Sequence, residues 1–298
     1  MKKAVVIGSL NLDYSLAVAH LPLPGETILA QGLTMNPGGK GANQAYALGK
    51  LGCETSMIGS VGTDNAGALL CGNLESVGVD TSGIKRLPDV PSGQAFIPVD
   101  ASGQNSIIVL SGANALVTPR DIDREKARIE QADCVVMQLE IPIETVLYAA
   151  KLAKSLGKTV VLDPAPARSD LPDELIGCAD FIKPNETELA ILTGRPSETI
   201  EDCREAAELL LQKGTGTVMV SLGSKGVLAV SRKGTVHIPA RKVKAVDTTA
   251  AGDCFTAAFV RAYEGDTEKA LQFATAAAAI AVSRKGAQAS IPTAEEVK

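Results

Sequence analysis

The chain has 298 residues, a formal net charge of −5 at pH 7, and 45% hydrophobic but only 3% aromatic residues, with no tryptophan. This length suits one large α/β domain or two small ones, and the core must be aliphatic and rich in alanine. The negative charge and the lack of a polybasic run argue against nucleic acid as a partner. The longest apolar stretch, Ala270 to Val282, is too short to cross a bilayer, so we expect no membrane partner.

The cysteines and histidines narrow the possible chemistry. The six cysteines occur singly, without a C-x-x-C pair, which indicates reduced thiols and a cytoplasmic protein. The histidines are His20 and His237, far apart in sequence, which excludes a multi-histidine metal site and argues against a Ser-His-Asp triad. We therefore expect the chemistry to rest on carboxylates, backbone amides and lysine.

Strand-like and helix-like runs alternate along most of the chain. The predicted strands are 3–8, 55–58, 134–139, 159–162, 181–183 and 218–222. The predicted helices are 41–51, 65–77, 120–131, 143–156, 186–192, 200–212, 254–263 and 268–283. This order predicts an α/β fold with a central, mostly parallel sheet, helices on both faces, and a site beyond the carboxyl ends of the strands.

Two regions interrupt the alternation. Residues 12–35 look irregular, with Pro22, Pro24 and Gly25, whereas 94–99 and 106–110 are alternating runs around a turn, which predicts a hairpin. We expect segments of about 12–35 and 93–110 to form a small β-sheet lid, inserted in a single α/β domain of residues 1–298. A lid would exclude water from a reaction centre.

The most informative motif runs from Asp247 to Asp253, where small residues end at an acid and a helix pattern begins. Such a loop lets backbone N–H groups converge at a helix N-terminus and hold an anion. A carboxylate beside that anion, Asp253, favours phosphoryl transfer to a hydroxyl. The alternative is a capped turn that enters a helix. Cys254, next in sequence, is predicted to be a small buried residue rather than a reactive thiol.

A glycine-rich stretch, 36–43, also opens a predicted helix. It is not a Walker A loop, because Gly41 follows Lys40 where that motif has serine or threonine. Its glycines allow the backbone to approach a ligand closely, and Asn43 would project from the first turn as a donor and acceptor. The alternative is an ordinary tight turn.

Asn11 and Asp13 share one face if the backbone there is extended, because alternate residues of a strand point the same way. A carboxylate can accept hydrogen bonds from two hydroxyls, and an amide can donate and accept, so the pair suits vicinal hydroxyls. An Asx turn that leaves the first strand is the alternative.

Two further motifs suit a nucleotide. Asn185 and Glu188 follow a strand and begin a helix, which is typical of a capping box but also of phosphate contact with Mg²⁺ held through water. Ser221 to Gly226 combines glycines, hydroxyls and a lysine, which fits either a nucleotide phosphate or a glycine-rich hairpin turn.

Together these motifs resemble the ribokinase family, the carbohydrate kinases of the PfkB group, over nearly the whole chain and in the expected order. The stretches 137–140, 164–167, 184–188 and 284–288 are similar to the ribokinases within that family. The resemblance implies a ribokinase-like fold and transfer of the γ-phosphoryl group of ATP to the 5-hydroxyl of D-ribose, which gives D-ribose 5-phosphate and ADP.

The resemblance also implies roles for individual residues. Asp253 would be the general base, and the amides of Ala250, Ala251, Gly252 and Asp253 would form the anion hole. The sugar would be held by Asn11, Asp13, Gly38, Gly39, Lys40, Asn43, Glu140 and Asp253. The ATP site would be lined by Asn185, Ser221, Gly223, Ser224, Lys225, Gly226, Gly252 and Thr275.

Metal ions and self-association follow from the same resemblance. Mg²⁺ would accompany the nucleotide, with Glu188 holding it through water. K⁺ would be bound, mostly through main-chain oxygens, by Asp247, Thr249, Ala281, Arg284, Gly286 and Ser290. The family dimerises through its lids, so a homodimer is expected.

Three departures from the family pattern, and the alternatives, stay open. Ala250 stands where the general signature has glycine, although ribokinases tolerate alanine there. Asp163 stands where many ribokinases carry asparagine, and Thr275 replaces a larger residue, so metal use and nucleotide preference are open. The runner-up function is a kinase for 2-deoxyribose, another furanose or a nucleoside. A non-catalytic sugar or nucleotide sensor is disfavoured because Asp253, Gly252 and Asn185 are present.

Overall fold

The computed structural model describes residues 1–297. Its strands are β1 Lys3–Ile7, β2 Asn11–Ala17, β3 Gly32–Gly38, β4 Glu54–Gly62, β5 Ile84–Leu87, β6 Gly93–Val99, β7 Ile108–Leu110, β8 Cys134–Met137, β9 Thr159–Leu162, β10 Phe181–Ile182, β11 Thr217–Ser221, β12 Val227–Ser231 and β13 Gly234–Ile238. Its α-helices are α1 Lys40–Lys50, α2 Asn65–Glu75, α3 Pro119–Arg124, α4 Lys126–Gln131, α5 Ile143–Ser155, α6 Asp173–Cys178, α7 Glu186–Thr193, α8 Ile200–Gln212, α9 Ala251–Ala262 and α10 Thr267–Val282.

The large sheet contains nine strands in the order β13-β12-β11-β10-β9-β8-β1-β4-β5. All neighbours from β11 to β5 are parallel, and only the β11–β12 and β12–β13 pairs are antiparallel. Strand β1 lies inside the sheet, and its residues 4–7 are completely buried or nearly so. The mostly parallel sheet predicted from the sequence is therefore confirmed.

Helices cover both faces of this sheet, as predicted, and each face has its own apolar core. One core packs α1, α2, α9 and α10 against the sheet, and α10 is an alanine-rich helix in close contact with α9. The other core packs α5, α7 and α8 with shorter helices. Aromatic residues are few, and the first core contains one cluster of them in which the rings of Phe181 and Phe259 lie 4.8 Å apart.

A small sheet of four strands, in the order β3-β2-β6-β7, stands apart from the large one. The prediction of an irregular segment at 12–35 is confirmed for 18–31 but wrong at both ends, because β2 and β3 pair in antiparallel register from Asn11–Gly38 to Ala17–Gly32. Period-two alternation is weak there since most side chains of both strands are exposed or half-buried. The predicted hairpin at 94–110 is confirmed by the antiparallel β6–β7 pair.

The bounds of other helices and strands differ from the predicted ones because of the local backbone geometry. The helix predicted at 120–131 is broken at Glu125, whose N–H bonds to the carbonyl of Ile122 three residues back, so α3 ends and α4 begins there. The strand predicted at 134–139 ends at Met137, because Gln138 and Leu139 turn into the site. Strands β5 and β13 and helix α6 were not predicted. They are short, and β13 is mostly exposed.

The cysteine thiols and the apolarity of the helices bear on the expectations from composition. All six thiols are free, five of them buried, and burial raises the pKa of the Cys254 thiol to about 12, which fits a packing residue. Among residues 1–297, none of the helices has the length and apolarity that a membrane span requires.

Candidate active site

The predicted site residues meet where the parallel strands end and α9 begins. Ala250 precedes α9 in the left-handed region, with φ of 57°, and offers no side-chain cap to the helix. The left-handed conformation costs alanine about 1–2 kcal/mol, which explains why glycine suits this position in the family pattern. The first amides of α9 have no intrahelical partner and form a positive end suited to an anion.

Asp253, in the first turn of α9, is buried and hydrogen-bonded to the start of α1. Nδ2 of Asn43 donates to its Oδ2 at 2.9 Å, and Nε2 of Gln44 donates to its Oδ1 at 2.9 Å. Burial raises the pKa of Asp253, Lys40 opposes the rise, and Asp163 adds to it. The structure therefore brings two residues predicted from separate motifs, Asn43 and Asp253, into direct contact.

A buried polar network that the sequence analysis did not assign extends from Asp253. The same Nε2 of Gln44 also lies 2.9 Å from Oδ2 of Asp163, and Nε2 of Gln138 donates to Oε1 of Gln44 at 2.6 Å. Asp163 in turn pairs with Lys183 at 3.2 Å. Their positions in the sequence could have indicated these residues, because Gln138, Asp163 and Lys183 each follow directly on a parallel strand.

Lys40 opens α1 and lies among acidic groups. Its backbone N–H donates to Oε2 of Glu140 at 3.0 Å, which joins two residues predicted to bind sugar. Burial disfavours the charged amine, but Asp253, Asp163, Glu140 and Glu188 together raise the pKa of Lys40. The ammonium group is therefore charged at neutral pH and faces several carboxylates.

The predicted sugar side is formed by β2 and the loop before α1. Asn11 is buried and its Oδ1 accepts a hydrogen bond from Nδ2 of Asn114 at 2.8 Å, a contact not predicted from the sequence. Because β2 is extended, Asn11 and Asp13 share a face as expected. Burial, followed by the nearby charge of Glu140, raises the pKa of Asp13 to about 7.

Gly38 and Gly39 allow the backbone to pass very close to β2. A Cβ on Gly38 would lie 2.1 Å from Oδ2 of Asp13. Gly39 has φ of +83°, and a Cβ there would lie 2.7 Å from the backbone nitrogen of Asn11. A side chain at Gly38 would displace the Asp13 carboxylate, whereas Gly39 requires glycine because of the nearby backbone and its own positive φ.

A cavity of about 370 Å³ opens beside these residues, between the small sheet and the ends of the central strands. Its lining includes Asn11 and Glu140, from the predicted sugar side, and Asn114. It reaches Val109 of β7 and Arg168 beyond β9. A sugar at Asn11 and Glu140 would thus lie next to open space under β7.

The predicted nucleotide side lies at the ends of β10 and β11. Ser221 and Asn185 form a parallel β-bridge, and Gly223 and Gly226 have φ of 55° and 102°. A Cβ on Gly226 would lie 2.0 Å from the carbonyl oxygen of Ile238, so the turn cannot hold a larger residue. Ser224 is exposed in the same turn.

Two residues of the predicted nucleotide side, Lys225 and Thr275, differ in whether their side chains have a partner. Nζ of Lys225 lies 3.1 Å from Oε1 of Glu186, so the lysine is held by an ion pair. Thr275, on α10, is buried, and its Oγ1 has no hydrogen-bond partner. An unpartnered buried hydroxyl fits a ligand donor or acceptor such as a purine base.

Asn185 and Glu188 form the capping box that the sequence offered as one of two alternatives. Oδ1 of Asn185 accepts from the Glu188 N–H at 2.7 Å, and Oε2 of Glu188 accepts from the Asn185 N–H at 2.8 Å. A carboxylate oxygen can accept a further bond from water. The capping role therefore leaves the Mg²⁺ role open.

The predicted K⁺ ligands come from two segments that the structure brings together. Oδ1 of Asp247 accepts from the N–H of Thr249, and Oδ2 accepts from the N–H of Gly286, both at 2.9 Å. These contacts hold the pKa of Asp247 below its usual value, although burial opposes them. The charged carboxylate thus lies between the loop before α9 and the segment after α10.

The remaining predicted K⁺ ligands lie on that second segment. The carbonyl of Ala281 accepts from the N–H of Arg284 at 3.1 Å, and Oγ of Ser290 donates to the carbonyl of Ala287 at 2.8 Å. The guanidinium of Arg284 is paired with Glu296 at 2.7 Å, so this residue could offer the ion only its main-chain oxygen. Within residues 1–297, no cluster of three acidic, histidine or cysteine side chains forms a transition-metal site.

The chain is similar to known carbohydrate kinases over nearly its whole length. The model of the pfkB family carbohydrate kinases matches residues 1–294. A ribokinase of Haemophilus influenzae is 44% identical over 99% of this chain and 97% of its own length, and a deoxyribokinase of Salmonella typhimurium is 41% identical over 98% and 96%. The solved structure of an Arabidopsis thaliana ribokinase complexed with ribose and ATP has a TM-score of 0.93 at 37% identity, covering 100% of this chain and 98% of that one.

The chain therefore belongs to the pfkB family of carbohydrate kinases. It is an enzyme, a phosphotransferase that acts on an alcohol group of a sugar. The ribokinase-like fold expected from the sequence is confirmed by these neighbours, which match over the full length of the chain.

Proposed function

We propose that the protein transfers the γ-phosphoryl group of ATP to the 5-hydroxyl of D-ribose. The observation that carries this proposal is the hydrogen bond from Asn43 to Asp253, because it joins the sugar loop to the acid at the open end of α9. The relatives named ribokinase, and the neighbour solved with ribose and ATP, support the same substrates here.

Asp253 acts as general base in this mechanism. Burial raises its pKa, which makes it a better proton acceptor than an ordinary aspartate, and the nearby charge of Lys40 favours its ionised form. As the hydroxyl oxygen bonds to phosphorus, the proton passes to Asp253 and the bond to the bridging oxygen of ADP breaks. The amides of Ala251, Gly252 and Asp253, positioned by Ala250, stabilise the negative charge on the transferring group.

Sugar recognition falls to β2 and the loop before α1. Asp13 accepts from two vicinal hydroxyls, and Asn11, Asn43 and Glu140 contribute further polar contacts. Gly38 and Gly39 let the backbone close around the ring, and Lys40 neutralises nearby carboxylates. The nucleotide lies across Asn185, Ser221 to Gly226 and Thr275.

Mg²⁺ and K⁺ fit the charges of the site. The charges of four carboxylates act on Lys40, so the site is rich in negative charge. A polyanionic nucleotide therefore needs bound cations to reduce the repulsion. Glu188, beside Asn185, would hold Mg²⁺ through water, and Mg²⁺ would neutralise charge on the phosphates. Asp247 with the carbonyls of Thr249, Ala281, Arg284, Gly286 and the Ser290 region suits K⁺, which would fix the shape of the loop before α9.

The small sheet acts as the lid of one α/β domain and as a dimer interface. Its outer strands expose apolar side chains, among them Leu33 and Met35 on β3 and Ile108 on β7, which are 55%, 58% and 66% exposed. A contiguous exposed apolar face of this kind marks an interaction surface. Pairing of two small sheets in a homodimer would cover it.

A phosphorylation panel tests the proposal. ADP release from MgATP is measured with ribose, 2-deoxyribose, fructose and nucleosides, in KCl and in choline chloride of equal ionic strength. The expected result is the highest kcat/KM for ribose, with lower activity in choline chloride. No turnover of any sugar, despite ATP binding, would contradict the proposal.

A kinase for 2-deoxyribose is the second candidate, because a relative named deoxyribokinase is 41% identical over nearly the whole chain. The two functions differ at a single hydroxyl, which Asp13 would bind in the proposed mechanism. A panel result with the highest kcat/KM for 2-deoxyribose would keep the mechanism and move the substrate.

A further inference from the structure

A buried ion pair lies beside the anion-binding turn and has no part in the chemistry given so far. Asp163 follows β9 and Lys183 follows β10, and these strands are neighbours in the large sheet. Nζ of Lys183 lies 3.2 Å from Oδ2 of Asp163, and the two residues are 5% and 1% exposed. A buried ion pair adds little net stability over an apolar pair of similar size, so packing alone does not account for it.

The ammonium group of Lys183 lies against the first turn of α9. A Cβ built on Gly252 would be 3.0 Å from Nζ, so the ammonium group is in close contact with this turn. The free amides and the dipole make this end of α9 positive. Two positive groups held together in a buried site repel each other, and an anion between them relieves that repulsion.

Both members of the Lys183–Asp163 pair have hydrogen-bonding capacity that the described residues leave unused. An ammonium group has three N–H donors, and within residues 1–297 the partner found for Lys183 is Asp163 alone. Oδ1 of Asp163 is buried without a hydrogen-bond partner. Donor capacity on Lys183 is therefore available for a ligand at the first turn of α9.

We propose that Lys183 is a further catalytic residue, one that donates hydrogen bonds to the γ-phosphoryl group during transfer; this rests on the proposed kinase function. The sugar oxygen forms a bond to the γ-phosphorus, the bond to the β,γ-bridging oxygen breaks, and its electron pair leaves with ADP. The hydroxyl proton passes to Asp253. Lys183 changes no covalent bond, and its charge stabilises the transferring oxygens while Asp163 holds Nζ at the turn.

Paired substitutions separate this role from mere neutralisation of Asp163. Lys183→Met leaves the buried Asp163 carboxylate without its positive partner and is expected to destabilise the fold, whereas Asp163→Asn/Lys183→Met removes both charges. Lys154→Met is the matched control, because Lys154 pairs with Asp180 at the surface at 2.6 Å. With the best sugar of the wild-type enzyme, kcat should fall about 10²-fold in both Lys183 variants, with the sugar KM within about threefold, and Lys154→Met should match the wild type.

The double variant decides the outcome. If Asp163→Asn/Lys183→Met retains kcat within about threefold of the wild type, Lys183 serves only to balance Asp163 and the proposal is wrong. Binding of ADP and of the non-hydrolysable analogue AMP-PNP gives a test that needs no turnover. Both Lys183 substitutions should weaken the binding of AMP-PNP more than the binding of ADP. An equal effect on the two affinities would overturn the proposal, even if no sugar in the panel is phosphorylated.

Discussion

Asp253 receives both of its described side-chain hydrogen bonds from consecutive residues of α1, Asn43 and Gln44. The amides fix the orientation of the carboxylate, and burial raises its pKa. A carboxylate that is oriented, buried and near an open helix N-terminus has the properties required of a general base for a hydroxyl. Asn43 carries a second link, since its Oδ1 accepts from Nε2 of Gln288 at 3.0 Å.

Asp253→Asn should therefore abolish chemistry and spare binding. The amide keeps the size of the side chain but cannot take a proton, so kcat should fall by about 10²–10⁴. Calorimetry should give sugar and nucleotide affinities close to those of the wild type. Glu208→Gln, at an exposed surface ion pair, serves as the control and should leave kcat unchanged. Retained turnover in Asp253→Asn would refute the assignment of the base.

Asp13 predicts a pH dependence of sugar binding. Its pKa is raised to about 7, so the carboxylate needed to accept from two hydroxyls predominates above that pH and is lost below it. The sugar KM should be constant at high pH and should rise about tenfold for each pH unit well below 7. The Asp13→Asn variant, which does not titrate, should show a flat and higher KM. A flat profile in the wild type between about pH 5.5 and 8.5 would contradict the role of Asp13.

At the scale of single residues, sequence could name candidates but not contacts. Asn11, Asp13, Asn43 and Asp253 stand in motifs whose local pattern indicates polar loops at strand ends. The partner Asn114 comes from a distant segment and carries no local signal, and the signal for Lys183 is limited to its position directly after β10. Their roles follow only once the sheet places neighbouring strand ends side by side.

The loop between β3 and α1 depends on a close approach of two backbones. Gly39 and Gly52 have nearly equal positive φ angles, +83° and +81°. A Cβ on Gly39 would lie 2.7 Å from the backbone nitrogen of Asn11, whereas a Cβ on Gly52 would meet nothing within 4 Å. Alanine would therefore be strained by its φ angle at both Gly39 and Gly52, but it would collide with other atoms only at Gly39.

Gly39→Ala and Gly52→Ala should differ in consequence. Both variants should lose about 1–2 kcal/mol of unfolding free energy because alanine disfavours positive φ. Gly39→Ala should also displace the start of α1 and raise the sugar KM by about tenfold or more, since small misplacements in a site are costly. Denaturant unfolding and steady-state kinetics measure the two effects. An unchanged sugar KM in Gly39→Ala would show that the close approach does not shape the site.

Elements buried on a regular face were the ones that sequence predicted well. Helices α5 and α8 and strand β9 lie within one residue of their predicted bounds, since their apolar periodicity faces one core. Strands β2 and β3 escaped prediction because their exposed faces show no alternation to detect. The break between α3 and α4 at Glu125 was not predicted, because a tight turn can interrupt an apolar pattern without a glycine or a proline.

At the scale of the whole molecule, the exposed face of the small sheet predicts self-association. Ile108→Glu places a charge in that apolar face and should weaken a dimer by about tenfold or more. Leu69→Glu is the control, because Leu69 is 46% exposed on α2, outside the small sheet. Sedimentation velocity should show a dimer for the wild type and for Leu69→Glu, and a shift to monomer for Ile108→Glu. A monomeric wild type would refute the interface.

In the proposed mechanism the two sheets and α9 together bind a ribose, and Asp13 accepts a hydrogen bond from the hydroxyl that 2-deoxyribose lacks. The most direct measurement is the ratio of kcat/KM for D-ribose to that for 2-deoxy-D-ribose, determined with saturating MgATP. A buried polar group left without its hydroxyl costs about 1–3 kcal/mol, so the ratio should lie between about 5 and about 150 in favour of ribose. A ratio of one, or a preference for 2-deoxyribose, would contradict the assignment.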